Sequence, residues 1–226
     1  ARKLLMKELS LATDKEKLFQ EEEELYTYLF VDLSASMAYP IQNGKTEAAR
    51  DLALALAYVV LANEDAVQLH TLSSNTAKNA TPFFRGRPRL FDLAAFLHTK
   101  RAQGKVDAPT SLVHHLRAVH RPGKAIWISD FLFPIKEAQA GLNLLRSAGF
   151  DLAIIQVLGK DELDPPLAAG GVKVIDSENQ ETATIRFDAQ AKKEYLHRLD
   201  LHTRTLRSYC HKTGVHFAQF VTSQDL

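Results

Sequence analysis

The sequence predicts an α/β fold: a doubly wound, mostly parallel sheet with helices on both faces. Three observations predict it. Short, continuous apolar runs read as strands buried on both faces: Tyr28, Leu29, Phe30 and Val31, then KAIWIS at 124–129 and DLAIIQVL at 151–158. Helix-like stretches separate these runs, and that alternation is the pattern of parallel crossover units. The chain has 226 residues, 46% of them apolar, which suffices for one large core.

Taken in order, residues 1–24 are a charged lead-in that ends in the acidic run 21–24. They are expected to be a solvated segment, the remnant of a longer chain, ahead of one domain over 25–226. After the first strand, Tyr39-Pro40 and Asn43-Gly44 signal turns. Residues 45–63 then form an Ala- and Leu-rich helix whose small side chains suit close packing on a sheet. Val67, Leu69 and Thr71 alternate with polar neighbours in a second strand over 65–72. Residues 73–75 turn the chain, and 76–84 read as a short antiparallel strand. Arg85, Arg87 and Arg89 surround Gly86 and Pro88, and without interleaved aromatics they read as a solvated loop. An amphipathic helix at 90–98 and a loop at 101–109 follow. The next helix spans 110–120, with Thr110 as its candidate N-cap. Beyond KAIWIS, a helix over 138–149 closes at Gly149. Residues 159–171 form a loop broken by Asp164-Pro165-Pro166, and 172–176 with 182–187 flank the polar turn of a hairpin. A long charged helix, 189–213, ends at Gly214 before the last strand, 215–221.

Bulk properties exclude several classes. A net charge of +1 gives no general attraction to nucleic acid or an anionic membrane. The single cysteine, Cys210, permits neither an internal disulfide nor a cysteine metal cluster and reads as a small packed side chain. No run of about eighteen apolar residues exists to span a membrane, and the N-terminus lacks the form of a signal peptide. A cytoplasmic location is expected.

The chemistry concentrates where the first strand ends. Asp32, Ser34 and Ser36 follow it at every second position, so one carboxylate and two hydroxyls can turn toward one point. Hard neutral oxygens with few carboxylates suit a small hard cation such as Mg²⁺ or Mn²⁺. Ligands of such sheets sit at the carboxyl ends of the strands, where Asp130 follows KAIWIS and Thr110 opens the preceding helix. Two carboxylates and three hydroxyls in three distant segments would leave room for one outside ligand, and a partner's carboxylate suits it.

This D-x-S-x-S loop, a later Thr before a helix and a later Asp after an apolar strand resemble the metal-ion-dependent adhesion site of von Willebrand factor A-like domains. The resemblance implies a Rossmann-like three-layer sandwich and the ligands Asp32, Ser34, Ser36, Thr110 and Asp130. In that family a glycine usually precedes the Thr. Here Pro109 does, and Ser111 is the alternative ligand. A narrower resemblance, through LFVDLSASM, KTEAARDLALALAYVVLANEDAVQLHTLS, ISDFLFP, QVLGKDELDPPL, VKVIDSENQET and a helix containing Tyr195, is to the bacterial family called domain of unknown function fifty-eight. Its members are von Willebrand A-like and often accompany MoxR-type AAA+ ATPases. The resemblance therefore implies such an ATPase, or its client, as partner. The family's upstream Asp-Trp motif is absent, so the chain is expected to be truncated or divergent.

Enzyme readings fare less well. A haloacid-dehalogenase-type phosphatase needs a second acid two residues after the first, where this chain has Ser34. The strings G-x-S-x-G, G-x-x-x-x-G-K-[ST] and G-x-G-x-x-G do not occur. His114 and His115 are adjacent, so they point to different helix faces, and His70 and His216 read as packed strand residues. The expectation is a metal-dependent protein-interaction module that is not an enzyme. Two other readings stand: a Mg²⁺-dependent hydrolase using Asp32 and Asp130, and a structural domain with a vestigial site that binds through a surface such as the Asp176 hairpin.

Overall fold

The computed structural model describes residues 25–38, 44–73, 79–117, 119, 121–167, 171–175, 182–186 and 188–222. Five strands, β1 (Tyr26–Asp32), β2 (Ala66–Leu72), β3 (Lys124–Ser129), β4 (Asp151–Leu158) and β7 (His216–Val221), form one all-parallel sheet in the order β2-β1-β3-β4-β7. β5 (Gly171–Ile175) and β6 (Thr182–Arg186) make a separate antiparallel hairpin. The helices are α1 (Lys45–Ala62), α2 (Leu90–His98), α3 (Ala108–Leu116), α4 (Ile135–Ser147), α5 (Lys160–Leu163) and α6 (Ala189–Thr213). This is the α/β three-layer arrangement that the alternation predicts.

Strand periodicity builds the layers. Successive side chains of β1 point to opposite faces of the sheet. Tyr28 and Phe30 join Trp127, Leu112 of α3, Leu142 of α4 and Leu206 of α6 in one core. Leu29 and Val31 join Ile128, Ala49 and Ala53 of α1 and Leu93 of α2 in the other. Both faces are covered, so β1 needs an unbroken apolar run. The chain leaves β1 for β2 on one side and reaches β3 on the other. The carboxyl ends of β1 and β3 therefore flank the reversal of strand order, the usual position of a binding crevice in open sheets.

Several boundaries differ from expectation for physical reasons. The helix expected from Thr110 starts at Ala108, because Asp107 is its cap and accepts from the Thr110 amide at 3.1 Å. The helix expected from Ala138 starts at Ile135, directly after Pro134. The loop after β4 contains the one-turn α5. Within 79–84, the described part of the antiparallel strand expected over 76–84, isolated bridges join Val67 to Phe84 and His70 to Ala80. Residues 1–24, 74–78 and Asp176, on which expectations were placed, lie outside the described residues. Among the described residues no helix is long and apolar enough to cross a membrane.

Candidate functional site

The D-x-S-x-S loop is folded by its own side chains. The Ser34 amide donates to Asp32 Oδ1 at 2.8 Å, which turns the chain immediately after β1. Ser34 Oγ and Ser36 Oγ lie 2.9 Å apart, so the two hydroxyls share one side of the loop. Met37 closes a short 3-10 turn, and its carbonyl accepts from the Thr46 hydroxyl at 2.8 Å, fixing the start of α1 beside it. The loop before α3 is stitched on as well. Gln103 donates its amide to the Leu33 carbonyl at 3.0 Å, and the Ala35 amide donates to the Gly104 carbonyl at 2.9 Å.

β3 delivers the second carboxylate. β1 and β3 pair up to Val31 opposite Ile128, so Ser129 and Asp130 arrive beside Asp32. Ser129 Oγ donates to Asp32 Oδ2 at 2.6 Å and accepts from the Phe131 amide at 3.0 Å. Asp130 Oδ1 accepts from the Leu132 amide at 3.1 Å, and its backbone carbonyl accepts from Gln156 Nε2 at 3.1 Å. Phe131 turns the chain with φ of 53°, a left-handed conformation that costs a bulky residue about 1–2 kcal/mol. The buried Phe131 ring against Trp127, at 4.8 Å between centroids, helps to hold this turn. The His202 ring of α6 lies with Nε2 at 2.7 Å from the Phe131 carbonyl, so the long helix touches the loop that presents Asp130.

Asp32 and Asp130 are both buried. Burial first, and Asp130 second, push the Asp32 carboxyl up to about 6, against the hydrogen bonds from Ser129 and Ser34. Two carboxyl groups buried near one another mark a place where a cation is favoured. The donors also suit a hard cation: two carboxylates and two hydroxyls, all oxygen. Asp32, Ser34, Ser36 and Asp130 therefore fit the implied metal. Thr110 differs from these four in its surroundings. It is exposed, and its hydroxyl donates to Asp107 Oδ2 at 2.8 Å. Ser111 is buried, and its amide donates to the Asp107 carbonyl at 2.9 Å. Among the described residues no three His, Cys, Asp or Glu side chains are grouped to hold a metal, so any metal here depends on hydroxyl ligands.

Three participants were not anticipated. Lys45, the first residue of α1, places its ammonium 3.1 Å from Asp130 Oδ2 and 2.6 Å from Glu162 Oε1. Glu162 is the third residue of α5, and its Oε2 accepts from the Gly159 amide at 2.7 Å. Tyr195 of α6 stands close enough that burial, then Glu162 and Asp130, push its phenol up to about 12, so it remains a neutral donor. Lys45 carried one sequence signal: a lysine opening a helix runs against the helix dipole and needs a partner elsewhere.

A family model, Protein of unknown function DUF58, matches residues 15–205. The chain belongs to the DUF58 family. Its fold is similar to that of conserved hypothetical protein BatB from Bacteroides thetaiotaomicron, with a TM-score of 0.51 and 13% identity over 88% of this chain and 91% of that one. It is also similar to an aerotolerance-related membrane protein from Bacteroides fragilis NCTC 9343 carrying multiple mutations to serines. There the TM-score is 0.53 and the identity 13%, over 87% of this chain and 91% of that one. At such identity the likeness concerns the fold alone, the α/β three-layer arrangement around an all-parallel sheet that this DUF58 chain shows. No curated protein matches it.

Proposed function

We propose that this DUF58 chain is a protein-interaction module, not a catalyst, that captures its partner at the carboxyl edge of β1 and β3. A hard divalent cation, Mg²⁺ or Mn²⁺, would be held by Asp32, Ser34, Ser36 and Asp130 and would supply a bridging positive charge for a partner's carboxylate. Thr110 donates its hydroxyl hydrogen to Asp107, which leaves its oxygen lone pairs free, so it stays a candidate further ligand. The observation that carries this reading is the buried pair of acids, Asp32 and Asp130, beside two converging hydroxyls. The chain's own residues hold the edge in shape: Ser129 orients Asp32, and the Leu132 amide orients Asp130. A MoxR-type ATPase or its client is the partner that the family resemblance suggests.

The test is calorimetric titration of Mg²⁺ and Mn²⁺ into metal-stripped protein, repeated with millimolar acetate to stand in for the partner's carboxylate. Binding is expected in the wild type and is lost in Asp32→Asn. Silence in every condition rejects the metal bridge. The Lys45–Asp130 ion pair favours a second reading, an interaction surface that works without metal. Partner capture that survives EDTA would select it.

A further inference from the structure

Lys45 is 2% exposed, and its position is not explained by α1 itself. The N-terminus of a helix carries partial positive charge and disfavours a cation. Gly44 caps the helix without a side-chain bond, so nothing local calls for lysine. Two carboxylates hold it instead: Asp130 Oδ2 lies 3.1 Å and Glu162 Oε1 2.6 Å from its ammonium. Its partners come from other elements, 85 and 117 residues along the chain.

The ammonium contacts Asp130, one of the two carboxylates the proposed cation would use. We propose that Lys45 is a resident counter-cation of Asp130 that competes with the divalent metal, and that Glu162 is the second seat to which it withdraws when metal binds. This rests on the metal reading above. Three carboxyl groups, Asp32, Asp130 and Glu162, meet the single ammonium of Lys45, an excess of acid that suits the charge of one divalent ion. Metal entry then shifts the ammonium from a shared position onto Glu162 alone, and no buried charge is left unpaired. Without Glu162 the displaced ammonium would have no second carboxylate. Without Lys45 the site would hold a further uncompensated negative charge and bind divalent ions more tightly.

The test measures Mn²⁺ affinity by the loss of the free-ion paramagnetic resonance signal, and Mg²⁺ affinity by calorimetry. It uses the wild type, Lys45→Met and Glu162→Gln, each checked for folding by circular dichroism. Lys45→Met is expected to bind about tenfold more tightly or better, and Glu162→Gln several-fold more weakly. A lysine that merely packs predicts no such opposite shifts. If the wild type binds metal and Lys45→Met binds no tighter, the competition is rejected and the metal site stands. If only Lys45→Met binds, the competition holds and the wild type works without metal. If neither binds, both ideas fall. Should Lys45→Met fail to fold, Glu162→Gln decides, and affinity equal to or above the wild type overturns the proposal.

Discussion

His70 shows how one residue sets a pH response. Its ring lies 5.9 Å from that of Tyr28 and 4.8 Å from that of Phe30, with Nδ1 at 3.0 Å from His115 Nδ1. His115 Nε2 faces the Thr71 carbonyl at 3.3 Å, and only an N–H can satisfy that carbonyl. His115 Nδ1 is then an acceptor, His70 Nδ1 donates to it, and His70 Nε2 is a buried lone pair with no hydrogen-bond partner among the described residues. Burial, then His115, push the His70 pKa down from 6.5 to about 3. Below 6.5 the unfolded chain takes up a proton that the folded chain refuses, so this contribution is full above that pH and is lost as pH falls toward 3. At pH 5 the loss is about 2 kcal/mol. Asp32 acts in the opposite sense. Its folded pKa of about 6 exceeds the ordinary 3.8, so it adds stability as pH falls through that window. Comparing wild type with His70→Phe in urea at pH 7 and pH 5 isolates the histidine. The advantage of the wild type is expected to shrink by about 2 kcal/mol at pH 5. An advantage that does not change with pH would reject this protonation account. The sequence pointed to a packed His70, but the pairing with His115 was illegible because 45 residues separate them.

Where α4 packs on β3 the approach is close. A Cβ added at Gly141 would stand 2.9 Å from Trp127 Cη2 and Cζ3 and 3.0 Å from Leu112 Cδ1. Alanine favours a helix over glycine by about 1 kcal/mol, whereas overpacking a rigid core costs about 1–3 kcal/mol. Crowding against an indole should win, so Gly141→Ala is expected to lower the thermal midpoint, with a net loss of about 1–2 kcal/mol. A raised midpoint in calorimetry would mean that Trp127 has room to move. Most elements were legible because their signals are local: the apolar run of β1, the period of α2 and Gly214 ending α6. The helix starts were less so. Asp107 and Pro134 both lie ahead of the positions expected to open a helix, and both suit the turn that begins one.

For the molecule as a whole, Cys210 is a natural reporter. It is the only cysteine, it is buried in the core shared by α3, α4 and α6, and burial pushes its thiol up to about 11. Labelling by a disulfide reagent should therefore proceed only through opening of the fold, at least about a thousandfold slower than in urea-unfolded protein for a domain of ordinary stability. Fast labelling under native conditions would show that α6 detaches by itself, and with it the His202 contact to the Asp130 loop. By itself the sequence determined the layered α/β architecture and the Asp32–Ser34–Ser36 loop, because burial patterns and short-range turn bonds are written in neighbouring residues. It also placed Asp130 at the same sheet edge, since parallel crossovers return every strand in the same direction. Only the tertiary structure decided that Thr110 turns to Asp107 and that Lys45 lies between Asp130 and Glu162. Those choices rest on the balance of charge and burial among side chains brought together by the fold, and no spacing along the chain records that balance.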